Sequence, residues 1–508
     1  MPNRKKHLHE IRESFISSIK SALLWRTTGR ATGIFKHVII AAAIGLSVQL
    51  DIFYMTTALL GIFLFSWAQM LEVMAVPKLV ELHQSGQIKA FNSLSGGMLT
   101  LCILFSLLIT AATILGRSYI SEVAWGFDEK KKKLLAEAII WFAPVLLFLI
   151  PFQFMGSVFR AVRRFSIFYQ AEFITGAVTL FLIYLFKDDP NVLFWSFSMG
   201  VSVAFFFLFV FYLRRYKVLG NPFSRLVKDA LKIVPGLLIL QCAHYFYILT
   251  DRIFMSFLAN GSIGALAYGR TIAYSLEGLI NIKGSFITIF SETDNPTIRN
   301  RIYNNLISLT VVISIPVTVY LLLLGKELIA VFLQRGMFKN TDTDLVFLAV
   351  TGFAWSLLPF FLLIPLEQIF QISGKINVMV VRKIGGLFVN LVLNYLFVFI
   401  FQLGIWGISV ATSMTYWTLF LYAILAGKKI DLYVEWKNHI KWSTWMLIGT
   451  SCIAFVLIKA GFILNSIFGM LIQIGIFFLL SILIAYFYPG QEKELVRNAI
   501  KKALPLRR

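Results

Sequence analysis

Four ionisable residues, Arg30, Lys36, Asp51 and Arg270, stand inside or at the edges of long apolar runs. A cation at the centre of a bilayer costs about 2.5–3.5 kcal/mol on insertion scales, so such a residue normally faces a water-filled cavity or a partner. The guanidinium fork suits phosphate oxygens. Cations gathered around one cavity would therefore draw an anionic headgroup, with Asp51 as the local counter-charge. Arg30 and Lys36 lie six positions apart, about 240° around an ideal helix. Both can face one cavity only if the helix bends, and Gly29 and Gly33 are where it could. Other roles stay open. Arg30 and Lys36 could snorkel to headgroups as juxtamembrane cations, and Asp51 or another acid could neutralise Arg270 as a structural pair or a gate.

A second constellation is rich in oxygen: Asp251, Asn390, Asn394 and Thr412. Asn390 and Asn394 are i, i+4 and share a helix face. A carboxylate, two amide oxygens and a hydroxyl are hard ligands, suited to an alkali cation rather than zinc. Interhelical hydrogen bonding, routine for polar residues in membranes, explains the same residues, and Asp251 could pair with Arg252 or Lys283. A third group, Arg160-Ala-Val-Arg163-Arg164, reads as a positive loop able to meet anionic lipid. Signals for catalysis are poor. Asp188-Asp189 mimics the acidic pair of a membrane glycosyltransferase but sits in a short turn before Pro190. Cys102, Cys242 and Cys452 give neither a disulfide framework nor a metal pattern.

The elements that hold these residues must be membrane helices. The chain has 508 residues, 58% of them hydrophobic and only 14% charged, with a mean hydropathy of +0.79. Apolar segments long enough to cross the hydrocarbon recur about fourteen times. The expectation is an all-α polytopic membrane protein: two six-helix lobes around a central cavity, plus two C-terminal helices. Residues 1–30 read as an amphipathic surface segment, with Ile11, Phe15, Ile19 and Leu23 every four residues. They are followed by a first lobe over 31–213, a linker over 214–232 and a second lobe over 233–426. Two further spans over 427–488 and a basic tail over 489–508 complete the chain. The net charge of +22 does not point to nucleic acid, because the cations cluster between spans. With both termini cytoplasmic, inside cations outnumber outside ones by about three to one. The run Lys130–Lys133 is the exception and reads as an interfacial helix. A weak repeat relates spans one and two to spans seven and eight, the plan of secondary transporters with a site between the halves.

Gly29-Arg30-Ala-Thr-Gly33-Ile-Phe-Lys36, followed by Asp51-Ile-Phe, resembles the start of the lipid II flippase family (MurJ/MviN). That family belongs to the multidrug/oligosaccharidyl-lipid/polysaccharide exporter superfamily. The likeness continues through Arg164-Phe-Ser-Ile, Phe257-Leu-Ala-Asn-Gly-Ser-Ile, Tyr268-Gly-Arg270 and Phe332-Leu-Gln-Arg-Gly-Met-Phe. It ends in Asn390-Leu-Val-Leu-Asn394 and Gly407-Ile-Ser-Val-Ala-Thr412-Ser, so it covers essentially the whole chain in order. The resemblance implies a monomeric flippase of the bacterial inner membrane. It would carry a polyprenyl-diphosphate saccharide to the outer leaflet by alternating access, with the lipid tail along the last two helices. It assigns Arg30, Lys36, Asp51 and Arg270 to the substrate. It likens Asp251, Asn390, Asn394 and Thr412 to a sodium site, with no other cofactor. This sequence has no arginine in Leu60-Gly-Ile-Phe-Leu64-Phe65-Ser, where the family carries a pair, and has His37 where an aspartate is usual. An O-antigen or capsule repeat-unit flippase and a cation-coupled drug exporter are the alternatives, the latter favoured by an acidic cavity.

Overall fold

The computed structural model describes residues 33, 35–232, 234–275, 296–428, 432–461 and 466–503. Among these residues every regular element is helical. Ten helices are long and apolar enough to cross a membrane, or eleven if one bent pair is counted as a single span. The described helices are compatible with the fourteen expected spans. The first is the short helix Phe35–Ile44, and the eighth is described only to residue 275. The expected amphipathic segment over 1–30, with Arg30, lies outside the described residues. The chain divides into two compact units, Met1–Asn260 and Gly261–Arg508.

The first unit opens with α1 (Phe35–Ile44) and α2 (Val48–Gln84). Gly45 takes a left-handed conformation, φ 62°, which a side chain would resist. Ser47 then caps α2 by accepting from the Leu50 amide at 3.3 Å. Next come α3 (Ile88–Leu115), α4 (Arg117–Ser121), α5 (Glu129–Trp141), α6 (Ala143–Ala161), α7 (Phe165–Leu185), α8 (Val192–Leu213), α9 (Arg225–Leu231) and α10 (Val234–Met255). The expected fourth span, begun at residue 136, breaks instead at Phe142. Pro144 stands in the first turn of α6, where its missing amide hydrogen costs nothing. The Lys130–Lys133 run does form a helix. Asp128 caps α5 by accepting from the Lys131 amide at 2.8 Å. Lys132 bridges Glu122 at 2.6 Å and Glu129 at 3.5 Å, and the Glu122 hydrogen bond raises its pKa above the ordinary lysine value. α2 packs on α6 and α10, and α6 in turn on α3 and α8.

The second unit comprises α11 (Ser262–Ala273), α12 (Pro296–Leu333), α13 (Asn340–Ala354), α14 (Leu357–Ile372), α15 (Ile376–Tyr395), α16 (Gly404–Gly427), α17 (Trp436–Lys459), α18 (Ile467–Tyr486) and α19 (Lys493–Ala503). α13 and α14 form the bent pair, turning by 49°. A π-helical turn, Leu396–Ile400, ends α15. The long helix α12 joins two apolar clusters. Tyr303 and Ile307 pack with Leu366, Phe370 and Phe420, while Tyr320 and Leu324 pack with Trp442, Met446 and Phe477. The last two spans are thus held on α12, where Trp442 Nε1 donates to the Ser308 carbonyl at 3.0 Å.

Candidate functional site

In the first unit the α1–α2 break sets the geometry. It puts Asp51 in the first turn of α2, where exposed amides and the helix dipole favour a carboxylate, and Asp51 is buried. Lys36, half-buried, lies over the Phe197 ring with Nζ 4.8 Å from its centroid. That ring belongs to an aromatic group with Phe53 and Phe142, so the ammonium meets a π face, which attracts a cation. Tyr54 Oη stands 3.5 Å from His37 Nδ1.

Asp251 is 1% exposed near the end of α10. Its neighbour Arg252 turns to α2, donating to the Tyr54 carbonyl and, at 3.0 Å, to Thr57 Oγ1. Its guanidinium also lies 5.3 Å from the Tyr54 ring centroid. This tie between α10 and α2 was invisible in the sequence, where Arg252 read only as a neighbour for Asp251.

In the second unit Arg270 sits in the last turn of α11, with its guanidinium 5.9 Å from the Tyr274 ring centroid. Tyr274 is fixed by its Oη, 2.6 Å from Ser356 Oγ at the α13–α14 bend, and by the rings of Phe353, Phe360 and Tyr416. The α11 backbone comes close to α13 at Gly269, where an added Cβ would lie 2.6 Å from that of Ala349.

Asn390 and Asn394 are fully buried on α15, and Asn394 Nδ2 donates to Asn390 Oδ1 at 3.2 Å. Thr412, buried on α16, bonds back to the Ile408 carbonyl at 3.2 Å. The asparagine pair is followed at once by the π-helical turn, a feature common at functional sites. Of the expected residues, Lys36, Asp51 and Asp251 therefore belong to the first unit, and Arg270, Asn390, Asn394 and Thr412 to the second.

Two loops singled out in the sequence are ordered by local contacts. Asp189 accepts from the Asn191 amide and from Trp195 Nε1, both at 2.8 Å, and so organises a turn. Arg163 ends α6 in a left-handed conformation, φ 62°, and Arg160 lies over Phe168. Hydropathy also hid one pair. Arg382, which the sequence reading did not single out, is 4% exposed on α15 and bonded to Glu367 on α14. The signal was present: Glu367 and Arg382 stand at nearly equal distances on either side of Gly374, whose φ of 67° turns the hairpin.

A family model described as "Lipid II flippase MurJ" matches residues 40–484. The chain belongs to the MurJ family. A "probable lipid II flippase MurJ" of Buchnera aphidicola subsp. Schizaphis graminum is 24% identical over 430 residues, 80% of this chain and 82% of that protein. One from Rickettsia prowazekii is 24% identical over 364 residues, 68% of this chain and 71% of the relative. Among solved structures, "Lipid II flippase MurJ, inward closed conformation" superposes with a TM-score of 0.76 at 18% identity, covering 96% of this chain and all of that one. An inward-facing multidrug-resistance MATE transporter of the MOP superfamily gives 0.69 at 11% identity, over 82% and 98% of the two chains. These matches establish a MurJ-like fold and a multi-pass transporter rather than an enzyme.

Proposed function

We infer that this MurJ-family protein moves a polyprenyl-diphosphate-linked saccharide, lipid II or a related envelope precursor, from the cytoplasmic to the outer leaflet. The observation that carries this reading is a cation seated on an aromatic face in each unit: Lys36 over Phe197 and Arg270 over Tyr274. Cations held this way are already placed, so an anionic cargo meets them at little cost in ordering. In the second unit Arg270 suits phosphate oxygens with its planar fork; in the first, Lys36 offers a point charge and Asp51 a counter-charge. Access alternates between the two sides while these residues stay near the midplane. Both termini are cytoplasmic, as the cation bias requires. The protein works as a monomer, without nucleic acid.

If the lipid carries most of the charge that moves, export is driven by an inside-negative potential, at about 2.3 kcal/mol per elementary charge per 100 mV. Flipping of lipid II in proteoliposomes of controlled orientation should accelerate with an imposed potassium-diffusion potential and collapse with an ionophore. A rate independent of the size and sign of the potential rules out net movement of the lipid's charge.

The oxygen-rich residues fit a small monovalent cation by chemistry. Asn390 and Asn394 offer amide oxygens and Thr412 a hydroxyl, all buried, and Asp251 offers a buried carboxylate. Sodium is the coupling ion in this reading. Sodium at about tenfold above its Kd should stabilise the protein by about 1.4 kcal/mol relative to potassium at equal ionic strength, and Asp251→Asn should lose that response. A wild-type melting curve indifferent to the two ions removes the sodium role.

A further inference from the structure

α15 is apolar where it is exposed and polar where it is buried. Val381, Ile384, Phe388, Leu391 and Tyr395 are exposed. Arg382, Gly386, Asn390 and Asn394, four residues apart, are buried. Such a row is the i±4 ridge by which a helix packs, and α15 packs on α14 and α16. Arg382 Nη2 donates to Glu367 on α14. Arg382 Nε and Nη1, and Asn390 Nδ2, have no hydrogen-bond partner among the described residues. The buried row thus runs along one face of α15 from the ion pair to the asparagines.

We propose that the Arg382–Glu367 pair sets the field at Asn390 and Asn394 and so tunes how tightly they hold a small monovalent cation. The inference rests on the cation reading above. Arg382 and Asn390 are eight residues apart, about 12 Å along the helix. At an effective dielectric of about 20, a bare unit charge at that distance changes cation affinity by about tenfold. Paired, the two charges nearly cancel; unpaired, each acts in full and with opposite sign.

The test is equilibrium binding of 22Na+ to the purified full-length protein, in potassium chloride at constant ionic strength. Glu367→Gln leaves Arg382 bare and should weaken binding about tenfold. Arg382→Gln leaves Glu367 bare and should tighten it about as much. The double variant should return close to wild type. Equal or same-direction shifts in the two single variants overturn the proposal and leave the pair a structural tie between α14 and α15. If a single variant does not survive extraction, the charge-swapped Glu367→Lys/Arg382→Glu variant keeps both charges paired. Its affinity, like that of the neutral double variant, should lie close to wild type, and the surviving single variant then carries the test: an affinity equal to wild type in that variant overturns the proposal. Wild-type protein that binds no 22Na+ at all removes the cation reading and this inference with it.

Discussion

Arg270→Ala is expected to reduce flipping by about 30-fold or more at matched protein level, while insertion and folding stay near normal. Removing one partner of a desolvated charge pair costs about 2–5 kcal/mol, and about 1.4 kcal/mol is tenfold. The fold should survive because the surroundings of Arg270 are built around Tyr274, whose Ser356 bond and aromatic neighbours do not depend on the guanidinium. Arg270→Lys should recover only part of the rate, since the ammonium keeps the charge but loses the fork. The measurement is lipid II flipping in proteoliposomes, normalised to reconstituted protein. Full activity in the alanine variant would remove Arg270 from the phosphate site and leave Lys36 as the described cation to examine.

The largest effect on stability is expected at Gly352. α13 crosses α16 there with little room: an added Cβ would overlap Ser409 and lie 3.0 Å from the Val410 amide nitrogen. Ser413 Oγ donates to the Gly352 carbonyl at 2.6 Å, holding the crossing from the other side. Close helix approach through small residues is how membrane helices associate. Overpacking a tight core costs about 1–3 kcal/mol, and Gly352→Leu, meeting the short Ser409 side chain down to its Cβ with the Val410 backbone just behind it, should lie at the top of that range. Melting in detergent and monodispersity on gel filtration would show it. Gly385, with nothing within 4 Å of an added Cβ, is the control, and Gly385→Leu should behave as wild type. Equal stability of the two variants would contradict the packing account.

Much of the architecture was legible because a bilayer imposes one requirement, a run of apolar residues about 30 Å long. The helical spans followed from it, while the asparagine pair followed from the i, i+4 period of a helix. Hydropathy windows blur the ends of spans, and the misreading lies at one such end. They carried the fourth span across Phe142, where Pro144 restarts the helix. Side-chain partners were also out of reach. Nothing in the spacing of Lys36 or Arg270 says that the rings of Phe197 and Tyr274 lie beneath them, because such contacts are set by helix rotation. The Arg252 tie to Tyr54 and Thr57 spans 198 and 195 positions, a separation that no local pattern encodes.

The length of α2 bears on the kind of membrane this protein can inhabit. Its 37 residues form one continuous helix, about 55 Å long against about 30 Å of hydrocarbon. The remainder continues for about 25 Å and ends in Lys78, Glu81 and His83, with Lys78 and Glu81 joined at 2.7 Å. A helix matched tightly to the hydrocarbon must tilt or deform its surroundings when lipid composition changes, at a fraction of a kcal/mol per Å. A helix that overruns it by several turns merely slides a different stretch into the headgroup layer. α2 can therefore ride through changes in bilayer thickness, such as those brought by growth temperature or acyl-chain length, without disturbing Asp51 in its first turn.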